Sequence, residues 1–221
     1  MMNLKFSEEI RDRFPDLRVL SAKILGVNVE RQSAELEHFK KKAIEETKKK
    51  YELEELKDVP TFRTYRDFFW EIGIDPTKTR PAAEALVRRV LQGKPLPTIN
   101  TLVDAYNFAS LRSEIPLAAF DYQSIKGEPL MRFASEGEEF SGIGMKKPAE
   151  LNGGEIVVAD SEKLIAIYPY RDSDETKITL DTNIVLLMIC GVPGVEEEIL
   201  NGAKRTAIDY VTRFCGGEVE E

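Results

Sequence analysis

The sequence predicts a single α+β domain spanning residues 1–221, with a mixed, mainly antiparallel sheet and flanking helices. Helical patterns fill most of the first half of the chain, and short strand-like runs follow before a last helix. This partial segregation of helices and strands is typical of α+β proteins. The length of 221 residues and the composition, 42% hydrophobic and 32% charged, fit one soluble domain with a substantial core.

The N-terminal part predicts one strand and one long helix. Residues 16–30 (DLRVLSAKILGVNVE) are rich in aliphatic residues and predict a strand that turns near Gly26. Residues 33–58 begin with Ser33 as a helix N-cap and predict a long charged helix with a sparse apolar line. Residues 30–58 hold eight basic and nine acidic side chains, so we interpret this helix as solvated and not as an RNA-binding surface.

Three further helices precede the strands. Residues 64–74 predict a short aromatic helix that a glycine ends, and residues 81–92 (PAAEALVRRVLQ) predict a helix between Pro81 and Gly93. After the prolines of KPLP, a new helix is expected to begin near Thr98.

Strand patterns dominate the second half of the chain. Short apolar runs bounded by turn residues predict strands over residues 116–121, 128–134, 154–160, 163–170 and 183–191. Residues 195–214 predict a C-terminal helix, since acidic residues occupy its first turn and Arg213 its last.

Charge and apolar content exclude several classes of protein. The net charge of −8 argues against a protein that coats nucleic acid through a broad basic surface. No apolar run approaches the roughly 20 residues that a membrane-spanning helix needs, and the N-terminus lacks a secretion signal. We therefore expect a cytoplasmic protein without membrane contact, whose two cysteines, Cys190 and Cys215, are reduced bystanders.

One segment departs from the acidic average. Residues 60–94 carry seven basic and four acidic side chains, a local net charge of +3. A limited contact with RNA phosphates is therefore expected here. The candidate residues are Arg66, Lys78, Arg80, Arg88 and Arg89.

Histidine-based and metal-based chemistry is excluded by residue type. The single histidine, His38, lies in the middle of a charged helix, and the two scattered cysteines lack any ligand spacing. Walker, dinucleotide-binding and EF-hand motifs do not occur. We expect no metal and no cofactor, and any catalysis must work without histidine.

Two polar constellations remain as candidate sites. On a helix, Asn100, Asp104 and Asn107 fall within about 60° of one another and form a polar stripe on a mostly apolar surface. Such a stripe is either a hydrogen-bonded seam in a core or one wall of a polar site. The second constellation is YPYRDSDETKIT, residues 168–179, in which alternation predicts both tyrosines on one sheet face and a polar turn after them.

The order of three segments carries a family resemblance. NTLVDAYN, then IPLAAFDYQSIKGEPLMRFASEGEEF, then GEIVVADSEKLIAIYPYRDSDETKITLDTNIVLL resembles the B3/B4 domain of the β subunit of phenylalanyl-tRNA synthetase, and more closely its free-standing relatives. The match is clearest over residues 60–190. The resemblance implies a compact α+β domain that hydrolyses the aminoacyl ester of mischarged tRNA, without the catalytic core of a complete synthetase.

Three departures from the family pattern concern the editing pocket. The family pattern PLHAFD has a histidine where this chain has Ala118, and Met188 stands where the synthetase uses a glutamate to sense the tyrosine hydroxyl. The family's paired glycines fall on Asp172 and Ser173. Methionine cannot hydrogen-bond a phenol as a carboxylate does, so these departures weaken the expectation of tyrosine specificity.

The resemblance therefore implies a free-standing domain that binds aminoacylated tRNA and deacylates it in trans. It implies that water is oriented by Asp104, Asn107, Ser173 and Thr176. It implies that the substrate is bound by Asn100, Ala118, Tyr168, Tyr170, Arg171, Asp172 and Met188. Two alternatives stay open: a non-catalytic tRNA- or RNA-binding module, and a binding protein for an amino acid or similar small molecule.

Overall fold

The computed structural model describes residues 4–220. The predicted helices and strands occur in their predicted order, together with one short helix and several two-residue strands that the sequence analysis does not predict. The α-helices are α1 (Glu8–Arg13), α2 (Ala34–Lys50), α3 (Pro60–Glu71), α4 (Ala82–Leu91), α5 (Thr101–Ser113) and α6 (Glu197–Cys215). The strands are β1 (Lys5–Phe6), β2 (Val19–Leu25), β3 (Leu117–Asp121), β4 (Leu130–Phe133), β5 (Glu139–Phe140), β6 (Ala149–Glu150), β7 (Ile156–Ala159), β8 (Leu164–Ile167), β9 (Arg171–Asp172), β10 (Ile184–Cys190) and β11 (Glu218–Val219).

The strands form two main sheets and one short hairpin. The five-stranded sheet has the order β1-β4-β7-β8-β9, the four-stranded sheet has the order β11-β2-β10-β3, and β5 pairs with β6. Among the strand pairs within residues 4–220, only β1–β4 is parallel. The predicted α+β class with a mixed, mainly antiparallel sheet is confirmed.

The four-stranded sheet lies between the helices and the other sheet. Helices α5 and α6 pack against each other and against strands β2, β3 and β10. Because side chains alternate along a strand, Leu186 and Met188 of β10 project to the face opposite Val185 and Leu187. That face meets the five-stranded sheet, since Leu186 and Met188 line a small gap together with Val158 and Ile165.

The helix predicted over residues 33–58 was too long. Helix α2 ends at Lys50, and residues 56–58 form a separate short 3₁₀ helix. The chain leaves the helix because Tyr51 and Leu56 are both buried, and the Tyr51 hydroxyl donates a hydrogen bond to Glu114. Tertiary contacts here override a sequence of strong helix formers.

Two other helix ends differ from the sequence prediction. Helix α3 begins at Pro60 and not at residue 64, because proline is favoured in a first helical turn. Helix α5 begins at Thr101 and not near Thr98, since Asn100 is extended and caps it. No helix among residues 4–220 is long and apolar enough to cross a membrane.

Candidate functional site

A small cavity lies between the two sheets. Its volume is about 70 Å³. The lining residues are Ala82, Pro116, Leu117, Ala118, Ala166, Ile167, Tyr168, Pro169, Tyr170, Asp172, Met188 and Cys190. Ala118 of β3 and Met188 of β10 face each other directly, since they are partners in the antiparallel register. The structure thus brings together five of the predicted substrate-binding residues: Ala118, Tyr168, Tyr170, Asp172 and Met188.

Strand alternation separates Arg171 from Asp172. The two residues form strand β9, where Asp172 is paired with Ala166 and Arg171 with Ile167. Successive side chains of a strand point to opposite faces, so Asp172 lines the cavity while Arg171 is exposed. The Arg171 stem lies over Gly142, where a Cβ atom would come within 2.7 Å of it, and its Nη1 donates to the Ile143 carbonyl at 3.3 Å.

Asp172 is the single ionisable carboxylate in the lining of this cavity. Its side chain has no hydrogen-bond partner in the part of the chain that the structure describes. Burial raises the pKa of Asp172 to about 7, against a smaller lowering by the neighbouring Arg171 charge. A carboxylate in a cavity with a pKa raised toward neutral pH is a candidate functional group.

The two tyrosines line the cavity for a different reason than predicted. Strand β8 ends at Ile167, so alternation along a strand does not apply to Tyr168 and Tyr170. The Tyr168–Pro169 peptide bond that follows this strand is cis. The Tyr168 hydroxyl donates to the Gly191 carbonyl, so this ring is a fixed wall, whereas Tyr170 is only half-buried.

A basic groove borders the cavity. It has a volume of about 520 Å³. Its lining consists of Arg80, Ala82, Ala85, Leu86, Arg88, Arg89, Gln92, Lys94 and Asn107. Ala82, an exposed residue at the start of α4, lines both the groove and the cavity. Among residues 4–220, Arg80, Arg89 and Lys94 have no carboxylate within salt-bridge distance, so their positive charge is not neutralised inside the domain.

One wall of the groove rests on a buried carboxylate. Glu84 is fully buried and accepts hydrogen bonds from Arg66 at 3.0 and 3.1 Å and from Arg88 at 3.4 Å. Arg66 therefore lies behind the groove wall and not in the groove. Lys78 is exposed outside the groove and is paired with Asp75 at 3.8 Å. Of the five predicted RNA-binding residues, the structure brings Arg80, Arg88 and Arg89 together.

The polar stripe divides into three separate roles. The Asn100 Oδ1 atom caps α5 by accepting from the Val103 amide at 2.9 Å. Asp104 is buried and its Oδ1 accepts from the Ile99 amide at 3.0 Å. Asn107 is half-buried and lines the basic groove. Asn100 and Asp104 thus hold the helix start in place, while Asn107 faces outward.

The remaining predicted catalytic hydroxyls do not line the cavity. Ser173 Oγ accepts from the Glu175 amide at 3.2 Å and caps a short 3₁₀ helix. Thr176 is fully buried, and its Oγ1 has no hydrogen-bond partner within residues 4–220. The structure does not bring Asp104, Asn107, Ser173 and Thr176 together at one point.

The position of Asp104 supports a stability prediction. We expect Asp104→Ala to lower the free energy of unfolding by about 1–3 kcal/mol, because the Ile99 amide would lose its acceptor. Urea denaturation measures this effect. Asn107→Ala is the matched control on the same helix, and we expect it to leave stability nearly unchanged. A fully stable Asp104→Ala variant would contradict the anchoring role.

Sequence reasoning overlooked three contributors to this region. Glu84 was counted only as a charge, although an acidic residue among alanines, four positions before Arg88, indicates a buried ion pair. Lys94 contributes to the basic count of residues 60–94 but is not among the candidate RNA-binding residues, although it lines the groove. Tyr106 has a pKa raised mainly by burial and further by the charge of Asp172, which places its ring near the cavity. No sequence signal indicates that proximity.

Comparison with known proteins gives a consistent family assignment. A family model described as the B3/4 domain matches residues 64–216. A phenylalanine–tRNA ligase β subunit of Vibrio parahaemolyticus is 36% identical over 145 residues, which cover 55% of this chain and 18% of that protein. The corresponding subunit of Protochlamydia amoebophila is 36% identical over 93 residues, covering 42% of this chain and 12% of that protein. The chain therefore spans less than a fifth of the length of these relatives.

A solved structure is also similar. It is an N-terminal fragment of the phenylalanyl-tRNA synthetase β subunit from Pyrococcus horikoshii, with a TM-score of 0.49 and 15% sequence identity. The similarity covers 99% of this chain and 52% of that fragment.

Proposed function

The chain belongs to the B3/4 domain family, and from this premise we propose that it binds the acceptor end of an aminoacylated tRNA and hydrolyses the mischarged ester in trans. Its relatives named above are subunits of a tRNA ligase. The observation that carries the proposal is the contact between a basic groove and a cavity with one carboxylate, which meet at Ala82.

The groove supplies the features that an RNA backbone requires. Arg80, Arg89 and Lys94 offer cationic side chains that no carboxylate pairs within residues 4–220. Arg89 Nε donates to the Pro95 carbonyl at 2.5 Å, which leaves the other donors of this guanidinium for a phosphate. Gln92 and Asn107 add neutral hydrogen-bonding groups. Phosphate contacts of this kind position a nucleic acid and make its affinity dependent on salt. A few such contacts are compatible with an overall charge of −8, since the acidic residues lie mostly elsewhere.

The cavity supplies one group for the chemistry. The ester would lie at the mouth beside Ala82, with a water molecule between its carbonyl carbon and Asp172. Asp172 accepts a proton as the water oxygen attacks the carbonyl carbon, and it returns that proton to the ribose oxygen as the ester bond breaks. A base whose pKa is about 7 is well matched to this transfer near neutral pH. The cavity, with a volume of about 70 Å³, accommodates about two waters or a small side chain.

The cavity volume also favours a second candidate, a non-catalytic tRNA-binding module. Ligand sites for larger molecules typically measure roughly 300–1,000 Å³, several times the volume between the sheets. In that case the groove alone would be functional, and the ester would never reach Asp172.

One experiment separates these candidates. Purified protein is incubated with a panel of tRNAs mischarged with amino acids of increasing size, while ester loss and tRNA binding are both measured. We expect faster deacylation of at least one ester with a small side chain. Salt-dependent binding without ester loss would support the binding module, and no binding to any tRNA would contradict both.

The groove is tested with a charge-reversal pair. We expect Arg80→Glu with Arg89→Glu to weaken tRNA binding and to reduce the slope of log affinity against log salt concentration by roughly 1.5, because about 0.7–0.9 per phosphate contact is lost. Arg88 is left intact because it contacts Glu84. Lys48→Glu with Lys49→Glu on α2 makes the same charge change at exposed residues outside the groove and should leave the slope nearly unchanged. Equal losses of tRNA affinity in the two double variants would show a non-specific charge effect.

A further inference from the structure

A second, larger cavity lies beneath α2, outside the site described above. Its volume is about 290 Å³. It is lined by Phe39, Lys42, Ala43, Glu46, Thr47, Lys50, Tyr51, Phe108, Leu111, Arg112 and Tyr210. Helix α2 supplies most of this lining and precedes the residues 64–216 that match the B3/4 model. The cavity is therefore largely built by a segment that the family model does not include.

Small side chains on α2 leave this space open. Phe39, Ala43 and Thr47 follow one another at intervals of four residues, so they share the helix face that points toward α5 and α6. Phe39 packs on Tyr210 with ring centroids 4.9 Å apart, but the next turns present only Ala43 and Thr47. Beneath them lie Phe108 and Leu111 of α5. The space thus has an apolar and aromatic floor.

Hydrogen bonds fasten the helix on both sides of the cavity. On the N-terminal side of the cavity, the buried Lys40 ammonium of α2 donates to Thr98 Oγ1 at 2.6 Å. After it, Lys50 donates to Glu114 at 2.7 Å, and the Tyr51 hydroxyl donates to the same carboxylate. Glu114 has a left-handed backbone, with a φ of 65°, which is uncommon for a residue other than glycine. These contacts hold α2 above the space instead of letting it close onto α5.

The mouth of the cavity carries excess positive charge. Arg112 has no carboxylate within salt-bridge distance among residues 4–220, and its Nη1 donates only to the neutral Tyr210 hydroxyl at 3.1 Å. Lys42 is paired with Glu46 at a distance of 3.9 Å, and both side chains are largely exposed. Such an exposed pair is weak. Arg112 and Lys42 can therefore turn toward an anion without breaking a buried interaction.

From this arrangement we propose that the cavity beneath α2 binds a small carboxylate with a single aromatic ring. The ring would lie among Phe39, Phe108 and Tyr210, and the carboxylate would accept hydrogen bonds from Arg112 at the mouth. Edge-to-face contacts already join Phe39 with Tyr210 and Phe108, so a further ring continues the same packing. A planar guanidinium matches a carboxylate with two parallel hydrogen bonds. The volume, at the lower end of ordinary ligand sites, limits the ligand to about one ring.

The test uses 3-phenylpropionate as the probe and isothermal titration calorimetry on the full chain. We expect binding at one site, at least tenfold weaker binding of the neutral 3-phenylpropionamide, and weaker binding of octanoate, which has no ring. Equal affinities for the acid and the amide would overturn the role of Arg112. Tighter binding of octanoate would overturn the aromatic class, and no binding of the acid at millimolar concentration would overturn the site.

Variants locate the binding site. We expect Arg112→Gln to weaken probe binding at least tenfold and Lys42→Gln to weaken it less, while Lys41→Gln, an exposed neighbour outside the lining, should have no effect. Ala43→Leu fills the space and should abolish probe binding with an unchanged or higher melting temperature. Undiminished binding in Ala43→Leu would place the probe elsewhere and overturn the proposal. None of these variants alters the groove beside Ala82, so tRNA binding should persist in all of them.

Discussion

Asp172→Asn is expected to stabilise the domain near pH 8 and to leave its stability unchanged near pH 4. The folded-state pKa of Asp172 is about 7, raised by burial, whereas an aspartate in an unfolded chain has a pKa of about 3.9. Between these values the folded chain retains a proton that the unfolded chain has lost, so rising pH favours unfolding. Asparagine resembles the protonated carboxyl in shape and is uncharged at every pH, so the stability of the variant does not fall with this ionisation.

The expected gain is about 2–4 kcal/mol above pH 7, since one pKa unit corresponds to about 1.4 kcal/mol. Urea denaturation of both proteins between pH 4 and pH 8 measures it as a difference that grows with pH. Asp174→Asn is the matched control, because Asp174 is exposed and paired with Lys177. A variant less stable than its parent at pH 8 would show that the charged form of Asp172 has a stabilising partner.

The same variant should lose function while gaining stability. If Asp172 is the base in ester hydrolysis, removing it should slow deacylation by roughly 10²–10⁴-fold, whereas tRNA binding should persist. The parent's deacylation rate should rise with pH through about 7 as Asp172 ionises. A half-buried carboxylate that costs stability and is needed for activity is a common compromise at functional sites. Full activity in Asp172→Asn would remove Asp172 from the mechanism.

Glu84→Ala is expected to have the largest destabilising effect. Its carboxylate is fully buried and accepts hydrogen bonds from both Arg66 and Arg88. Removing one side of a buried ion pair leaves uncompensated charge and typically costs about 3–5 kcal/mol. Thermal and urea denaturation both measure this loss. Because Glu84 also holds Arg88 in the groove wall, tRNA affinity should fall even at temperatures where the variant remains folded.

Two further variants make this prediction specific. Glu198→Ala removes an exposed partner of Arg205 and should have little effect, because both side chains are largely solvated. Arg66→Met combined with Glu84→Met replaces the pair with apolar side chains and should recover part of the lost stability. A loss equally small in Glu84→Ala and Glu198→Ala would contradict the buried network.

Local sequence patterns were sufficient to predict the class of the fold and most of its elements. Helix α4 lies inside the predicted range 81–92. Its apolar residues recur with the helical period, and the flanking proline and glycine mark the same two ends. Strand β10 lies inside the predicted range 183–191, since a short run of aliphatic residues that a glycine follows is typical of a buried strand. These signals are local, so they can be detected without knowing what packs against them.

Where the polar side chains meet depends on long-range packing that local patterns do not contain. Arg171 and Asp172 are adjacent in sequence, yet strand pairing directs one to solvent and the other into a cavity. Ala118 and Met188 are far apart in sequence, yet the antiparallel register places them opposite each other. Asn100, Asp104 and Asn107 share a predicted stripe, yet the helix start, a buried amide and a groove assign them different roles. Periodicity indicates which face of an element is polar, but which partner meets that face depends on strand register and on long-range packing.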